Sequence, residues 1–173
     1  MTFPFGIVKD FRPVFDHNDG ALRFALLDKY VNGGNVASRA AAIADIERIR
    51  RHPNIGMALG NHIVVDRIDS WRKERSPIGT NVNWVHTKFM LIDPLGKTPI
   101  TLAGSANFSM ASVSDNDENM LLIRGDTRVA DIFFGEFMRV FAHHRFRESV
   151  KRHIDEFVTA EQNTWKPQDL LED

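Results

Sequence analysis

Residues 82–92 alternate between two apolar-rich sets of side chains, and this period of two predicts a β-strand. One set comprises Val82, Trp84, His86, Lys88, Met90 and Ile92, and the other comprises Val85, Thr87, Phe89 and Leu91. Because both sets are largely apolar, we expect a central strand that is buried on both faces. A turn at 94–97 and a returning strand at 98–103 complete a hairpin, and a further strand is predicted at 120–124.

Helical spacing of apolar positions marks three segments. The pattern predicts helices at 20–31, at 37–51 and from Thr127 onward. The second helix should bury Ala40, Ile43, Ile46 and Ile49, and the third a stripe from Val129 to His144. Short strands are expected at 55–59 and 62–65, followed by a polar loop at 66–80. This order predicts an α/β fold with a mixed central β-sheet flanked by helices on both faces.

Composition narrows the class of protein. The chain has 173 residues, with 43% hydrophobic and 26% charged content, which is typical of one globular domain. We expect the domain to span residues 1–160, with a loose tail at 161–173. The net charge of -1 excludes a global positive field that would attract nucleic acid, so any basic surface must be local.

The residue types also restrict which cofactors the chain could bind and where in the cell it is expected. Cysteine is absent, which excludes disulfides and thiolate metal sites, and no histidine pair is backed by a third metal ligand. We therefore expect neither a metal nor another cofactor. No apolar run reaches membrane-spanning length, and no signal pattern opens the sequence. A cytoplasmic chain is the default expectation, although the abrupt apolar start is also compatible with a piece of a longer chain.

Four polar side chains in the predicted hairpin point to phosphate chemistry. His86 and Lys88 lie two residues apart, and Ser105 and Asn107 repeat this spacing on what reads as the partner strand. A buried histidine and lysine are costly unless an anion pairs with them. Histidine is a competent nucleophile toward phosphorus, while ammonium, amide and hydroxyl groups can stabilise the charged oxygens of a transition state.

A carboxylate is still required to fix the tautomer of the histidine. Glu118, which lies just before the strand predicted at 120–124, is the best candidate.

These residues resemble the signature of the phospholipase D superfamily, which is His-x-Lys, four residues, Asp, and then Gly-Ser-x-Asn. The segment before Asp93 and the segment after it both match. The matching residues are His86, Lys88, Asp93, Gly104, Ser105 and Asn107. The ten residues between Asp93 and Gly104 form a longer gap than is common in the family. Glu118 sits where the family places the carboxylate that orients its histidine.

The resemblance implies a phospholipase D-like fold and cleavage of a phosphodiester through a covalent phosphohistidine, without a metal ion. It implies catalytic roles for His86, Lys88, Asn107 and Glu118. It implies substrate-binding roles for Ser105 and Gly104. Asp93 falls off the face shared by His86 and Lys88, so we interpret it as a structural residue at the end of the strand.

Family active sites combine two such motifs, whereas this chain carries one. The chain therefore resembles the C-terminal half of a two-motif enzyme, or it pairs with itself as a homodimer. The leading hypothesis is a phospholipid phosphodiesterase or phosphatidyl transferase. A dimeric endonuclease acting on DNA or RNA is the second hypothesis, and an inactive pairing module is the third.

Basic side chains cluster between residues 143 and 153 in the last predicted helix. They suggest a patch for nucleic acid or lipid headgroups. Acidic residues are interspersed among them, and we interpret the cluster as a solvated helix face.

Overall fold

The computed structural model describes four ranges of the chain, which are residues 1–4, 6–28, 35–60 and 85–164. Several predicted segments lie outside these residues, namely the strand at 62–65, the loop at 66–80, the start of the strand at 82–84 and the tail beyond 164.

The first half of the chain builds a parallel sheet from β1 (Thr2–Phe3), β2 (Arg23–Leu27) and β3 (Ile55–Leu59), in that order. The helix predicted at 20–31 is therefore wrong, since its centre is β2. The apolar run after Arg23 is short and continuous, as is typical of a strand buried on both faces, and such a run also fits a helical pattern.

The second half builds an antiparallel meander from β4 (Phe89–Ile92), β5 (Ile100–Gly104) and β6 (Met120–Arg124). The predicted strands at 98–103 and 120–124 are confirmed to within two residues at each end. The strand predicted at 82–92 begins only at Phe89 within the described residues.

Four α-helices accompany the sheets within the described ranges. They are α1 (Arg12–Phe15), which follows a 3₁₀ helix at Lys9–Phe11, α2 (Val36–Arg50), α3 (Met110–Ser114) and α4 (Thr127–Thr164). The Asn35 side chain caps α2 by accepting a hydrogen bond from the Ser38 N–H at 2.9 Å. The helices predicted at 37–51 and from Thr127 are thus confirmed.

Helices pack on both faces of the parallel sheet. Alternate residues of β2 and β3 face α2 and the N-terminal segment, and the residues between them face α4. The first core includes Leu27, Ile46, Ile49, Met57 and Phe3, and the second includes Leu26, Ala58, Phe137 and Phe141. Ile46 and Ile49 are buried as predicted, whereas Ala40 and Ile43 are exposed. The mixed α/β class is confirmed, with the parallel and antiparallel strands divided between two sheets.

The antiparallel sheet is covered differently on its two faces. α4 packs on one face, where the rings of Phe133 and Phe137 contact Phe89. The opposite face, which we call the open face, is formed by Met90, Ile92, Leu102, Met120 and Leu122. Leu122 is 58% exposed and Ile92 49% exposed. The expectation that residues 82–92 are buried on both faces is therefore wrong for their described part.

None of the helices in the described part of the chain combines the length and hydrophobicity needed to span a bilayer.

Candidate active site

Two buried side chains hold the segment that carries His86 and Lys88. The Asp28 carboxylate accepts a hydrogen bond from the Val85 N–H at 3.1 Å. The Thr2 hydroxyl donates to the Thr87 carbonyl at 2.8 Å and accepts from the Phe89 N–H at 3.0 Å. Thr2 and Asp28, here called the clamp, are 1% and 3% exposed. Residues 85–89 are therefore fixed against the parallel sheet before β4 begins.

Sequence reasoning missed the clamp because its bonds join residues far apart in the chain. Val85 and Asp28 are separated by 57 positions, and Thr2 and Phe89 by 87. One signal was present: Asp28 is an acid directly after an apolar strand, and the carboxyl ends of parallel strands are where sites commonly form.

Lys88 and Glu118 interact electrostatically across the site. Lys88 is half-buried, and its Nζ donates to the His86 carbonyl at 2.8 Å. Burial lowers the pKa of the Lys88 ammonium below its ordinary value, and the negative charge of Glu118 acts in the opposite direction. Glu118 is half-buried and accepts a hydrogen bond from Asn116 Nδ2 at 3.3 Å. The structure thus brings the predicted cation and the predicted carboxylate into one electrostatic environment, and Lys88 also contacts the backbone of the exposed His86.

Gly104 lies where two strands approach closely. Its N–H donates to the Lys88 carbonyl at 3.3 Å, which places the end of β5 beside Lys88. A Cβ at this position would lie 2.1 Å from the Asn119 carbonyl oxygen and 2.6 Å from Met120 Sδ. Only glycine fits this backbone approach.

The Ser105 hydroxyl is engaged by neighbouring backbone. It accepts a hydrogen bond from the Asn119 N–H at 3.0 Å, and the Ser105 N–H donates to the Asn119 carbonyl at 3.0 Å. Ser105 therefore fastens the turn that carries Glu118 to the end of β5.

The backbone after Ser105 is strained and well anchored. Phe108 has a φ of 56°, which is unusual for a bulky residue, and its ring packs edge-to-face on Phe3 and Phe11. The Asn107 N–H donates to Ser112 Oγ at 3.1 Å. Asn107 Oδ1 is buried and has no hydrogen-bond partner among the described residues. Local strain and an unpaired polar atom are both common where a ligand completes the structure.

Asp93 is not part of this group. It follows β4 in the hairpin turn, with a φ of 46°, and its carbonyl accepts a hydrogen bond from the Gly96 N–H at 3.0 Å. Six residues separate it from His86, and the last four of them form β4.

Taken together, the described contacts bring Lys88 next to Gly104 and under the electrostatic influence of Glu118, and Ser105 links the end of β5 to the turn that carries Glu118. No group of three or more histidine, aspartate or glutamate side chains converges as a metal site within the described ranges.

Comparison with protein families agrees with this geometry. The family model described as the phospholipase D-like domain of cardiolipin synthase matches residues 46–143, more than half of the chain. The chain belongs to the phospholipase D superfamily. No curated protein and no solved structure matches it. Membership in the phospholipase D superfamily indicates chemistry of the phosphodiesterase or transferase type, and the matched region spans every motif residue from His86 to Glu118.

Proposed function

We propose that the chain is a metal-independent phosphodiesterase of the phospholipase D type that acts on phospholipid through a phosphohistidine intermediate. The observation that carries this proposal is the clamped segment, which presents His86 and Lys88 beside Gly104 and Glu118. A rigid backbone under the nucleophile lowers the cost of aligning it with phosphorus.

In the proposed reaction, a nitrogen of His86 attacks phosphorus, and the bond from phosphorus to the leaving oxygen breaks. A histidine from a second motif donates a proton to that oxygen. The second histidine then takes a proton from water or an alcohol, whose oxygen attacks phosphorus; the phosphorus–nitrogen bond breaks, and both histidines are regenerated. Lys88 and Asn107 donate hydrogen bonds to the non-bridging oxygens, and Glu118 orients the imidazole.

The end of β5 forms part of the proposed substrate pocket. Gly104 allows close approach at this point, and Ser105 positions the neighbouring turn. Asp93 keeps a structural role in the hairpin turn.

The second motif is proposed to come from another copy of this chain or from a separate motif-bearing half. The register of β4, β5 and β6 places the open face on the side of the sheet to which Lys88 and Gly104 belong. Exposed Ile92 and Leu122 give this face an apolar character. A partner that covers it would bury apolar surface beside the site.

Phospholipid is favoured as the substrate because the matching family model is described for cardiolipin synthase. The net charge of -1 also gives little attraction for nucleic acid. Hydrolysis and phosphatidyl transfer differ only in the acceptor that attacks the phosphohistidine.

The test is turnover of a chromogenic phosphodiester and of phospholipid vesicles in excess EDTA. We expect wild-type activity to survive the chelator and His86→Ala to lower it at least about 1,000-fold, since the nucleophile is lost. His153→Ala, which removes an exposed histidine on α4, is the matched control and should keep full activity.

Four outcomes would contradict the proposal. Activity that requires a metal ion would contradict a metal-independent mechanism through phosphohistidine. Activity that survives in a folded His86→Ala variant would exclude His86 as the nucleophile. Metal-independent nicking of plasmid without turnover of phospholipid would favour the endonuclease. Inactivity of a well-formed assembly on every substrate would favour the pairing module.

A further inference from the structure

A cleft of about 480 Å³ opens between α2 and α4, at the start of β3. The described residues of its lining are mostly basic and include one apolar side chain, Ile55. The charged residues that line it are Glu47, Arg50, Arg51, Arg145 and Arg152. Arginines from two helices that are distant in sequence therefore face one space. Arg145 and Arg152 line this cleft, so the interpretation of residues 143–153 as a solvated helix face does not describe these two residues.

Two of these arginines are held in place by the protein. Arg50 pairs with Glu148 of α4 at 2.5 Å, and its side chain is only 10% exposed. Arg145 Nη1 donates to the Met57 carbonyl at 2.7 Å, which ties α4 to the middle of β3. These contacts join the two walls of the cleft and keep Arg145 near its mouth.

The charges of the other two arginines, Arg51 and Arg152, are available to bind an anion. No ion pair or side-chain hydrogen bond joins Arg51 or Arg152 to another described residue. Counting Glu47 and Glu148 against the four arginines leaves an excess of two positive charges around the cleft. A phosphomonoester carries about -1.5 to -2 at neutral pH, which matches this excess.

The cleft is separate from the candidate active site. Ile55 is the first residue of β3, whereas the last strand residue, Leu59, is followed by Gly60, which lies against Val85 of the clamped segment. The strand has five residues, so the cleft lies about 15 Å away, at the other end of the parallel sheet.

We infer that this cleft binds a phosphate group of a small anionic ligand, either a free phosphate compound or a phosphorylated lipid headgroup. Arginine forks match phosphate oxygens in pairs, and the volume falls within the range of about 300–1,000 Å³ typical of small-molecule sites. Among the described residues, the lining includes no aromatic side chain on which nucleic acid bases would stack. Single-stranded nucleic acid is therefore a poorer fit.

The experiment measures binding of inorganic pyrophosphate by calorimetry and of phosphatidylcholine vesicles, with and without phosphatidic acid, by co-sedimentation. We expect Arg51→Gln/Arg152→Gln to raise the dissociation constant at least about tenfold, because charged hydrogen bonds to phosphate are lost. Arg39→Gln/Arg128→Gln removes the same charge from the far ends of the same two helices and should change it less than about twofold.

In the Lys88→Ala background, which weakens phosphate binding at the candidate active site and not in the cleft, Arg51→Gln/Arg152→Gln should still raise the dissociation constant at least about tenfold. Binding of pyrophosphate identifies a free ligand, and binding only of vesicles with phosphatidic acid identifies a headgroup. Equal binding by wild type and Arg51→Gln/Arg152→Gln would overturn the inference. So would loss of all phosphate binding in Lys88→Ala, a preference for oligonucleotide over both probes, or no binding by wild type. Arg152→Glu alone, at an exposed position, repeats the test if the double variant unfolds.

Discussion

At the scale of single residues, the site depends on a cation that is partly removed from water. Lys88 is half-buried, and desolvation works against its charged form, which is the form that would bind a phosphate. Glu118 offsets part of this cost. The carboxylate therefore supports the ammonium electrostatically, in addition to the role proposed for it at the imidazole.

We predict that Glu118→Gln lowers the pKa of Lys88 further, because the charge that raises it is removed while burial remains. The alkaline limb of the activity profile should then move to lower pH, since Lys88 loses its proton earlier. NMR titration of reductively methylated lysines would measure the pKa directly.

Asp117→Asn is the matched control, because it removes the adjacent exposed acid and should leave Lys88 unchanged. An unaltered Lys88 pKa in Glu118→Gln would mean that the two groups do not interact in solution.

The motif residues could be predicted one by one from the sequence, whereas their support could not. Gly104 was expected at the site, but the reason that this residue must be glycine is a tertiary contact. A Cβ there would lie 2.1 Å from the Asn119 carbonyl oxygen. The clamp residues lie before the matched region, form bonds to residues 57 and 87 positions away, and leave almost no local pattern. Local patterns report periodicity and turns, and they do not report pairs between distant segments.

At the scale of secondary structure, the site is built where a short extended segment joins a hairpin. Residues 85–88 have no backbone ladder to β1 among the described residues, and the Thr2 side chain takes its place. One hydroxyl satisfies both the Thr87 carbonyl and the Phe89 N–H. Its removal leaves two backbone groups without partners in or near the core.

We predict that Thr2→Val lowers the free energy of unfolding by about 2 kcal/mol, because buried backbone groups lose their partners. The shift of the segment should also lower kcat by about tenfold or more. Chemical denaturation and steady-state kinetics measure the two effects.

Thr2→Ser keeps the hydroxyl and should restore kcat. Thr101→Val makes the same change at a buried threonine of β5 whose backbone pairs with Leu91, and should leave kcat near wild type. A kcat in Thr2→Val equal to that of Thr101→Val would contradict a positioning role for Thr2.

Element prediction succeeded where one periodicity was unambiguous. β6 and the start of α4 were predicted to the residue, and α2 to within one residue. The failure at β2 has a physical cause: a strand buried on both faces shows no alternation, so its five residues imitate part of a helix.

At the scale of the whole molecule, one motif and one open face suggest that the proposed site is completed by a partner. The sequence predicted the α/β class, which the structure confirms, whereas the second motif stays a prediction. It did not predict that the strands divide into two sheets, since that division depends on which strands pair over long distances.

If two copies share one site, we predict that activity in mixtures of wild type and His86→Ala falls as the square of the wild-type fraction. Each mixed dimer lacks either the nucleophile or the acid. Turnover measured across the mixing series, after subunit exchange, tests this dependence.

Mixtures with His153→Ala should stay at full activity. A linear fall with His86→Ala would indicate that each copy works alone. A wild-type chain that is inactive alone but gains activity with a different motif-bearing half would replace the homodimer with a two-part enzyme.

The division into two sheets also bears on the order in which the chain folds. Ile92 pairs with Ile100 across a tight turn, whereas Leu27 pairs with Leu59 only after α2 has crossed between them. Contacts that are close in sequence close smaller loops and generally form sooner. The meander can therefore form early, while the clamp must wait until β1 and β2 have assembled. On this account, a refolding chain acquires much of its secondary structure before it acquires a competent site.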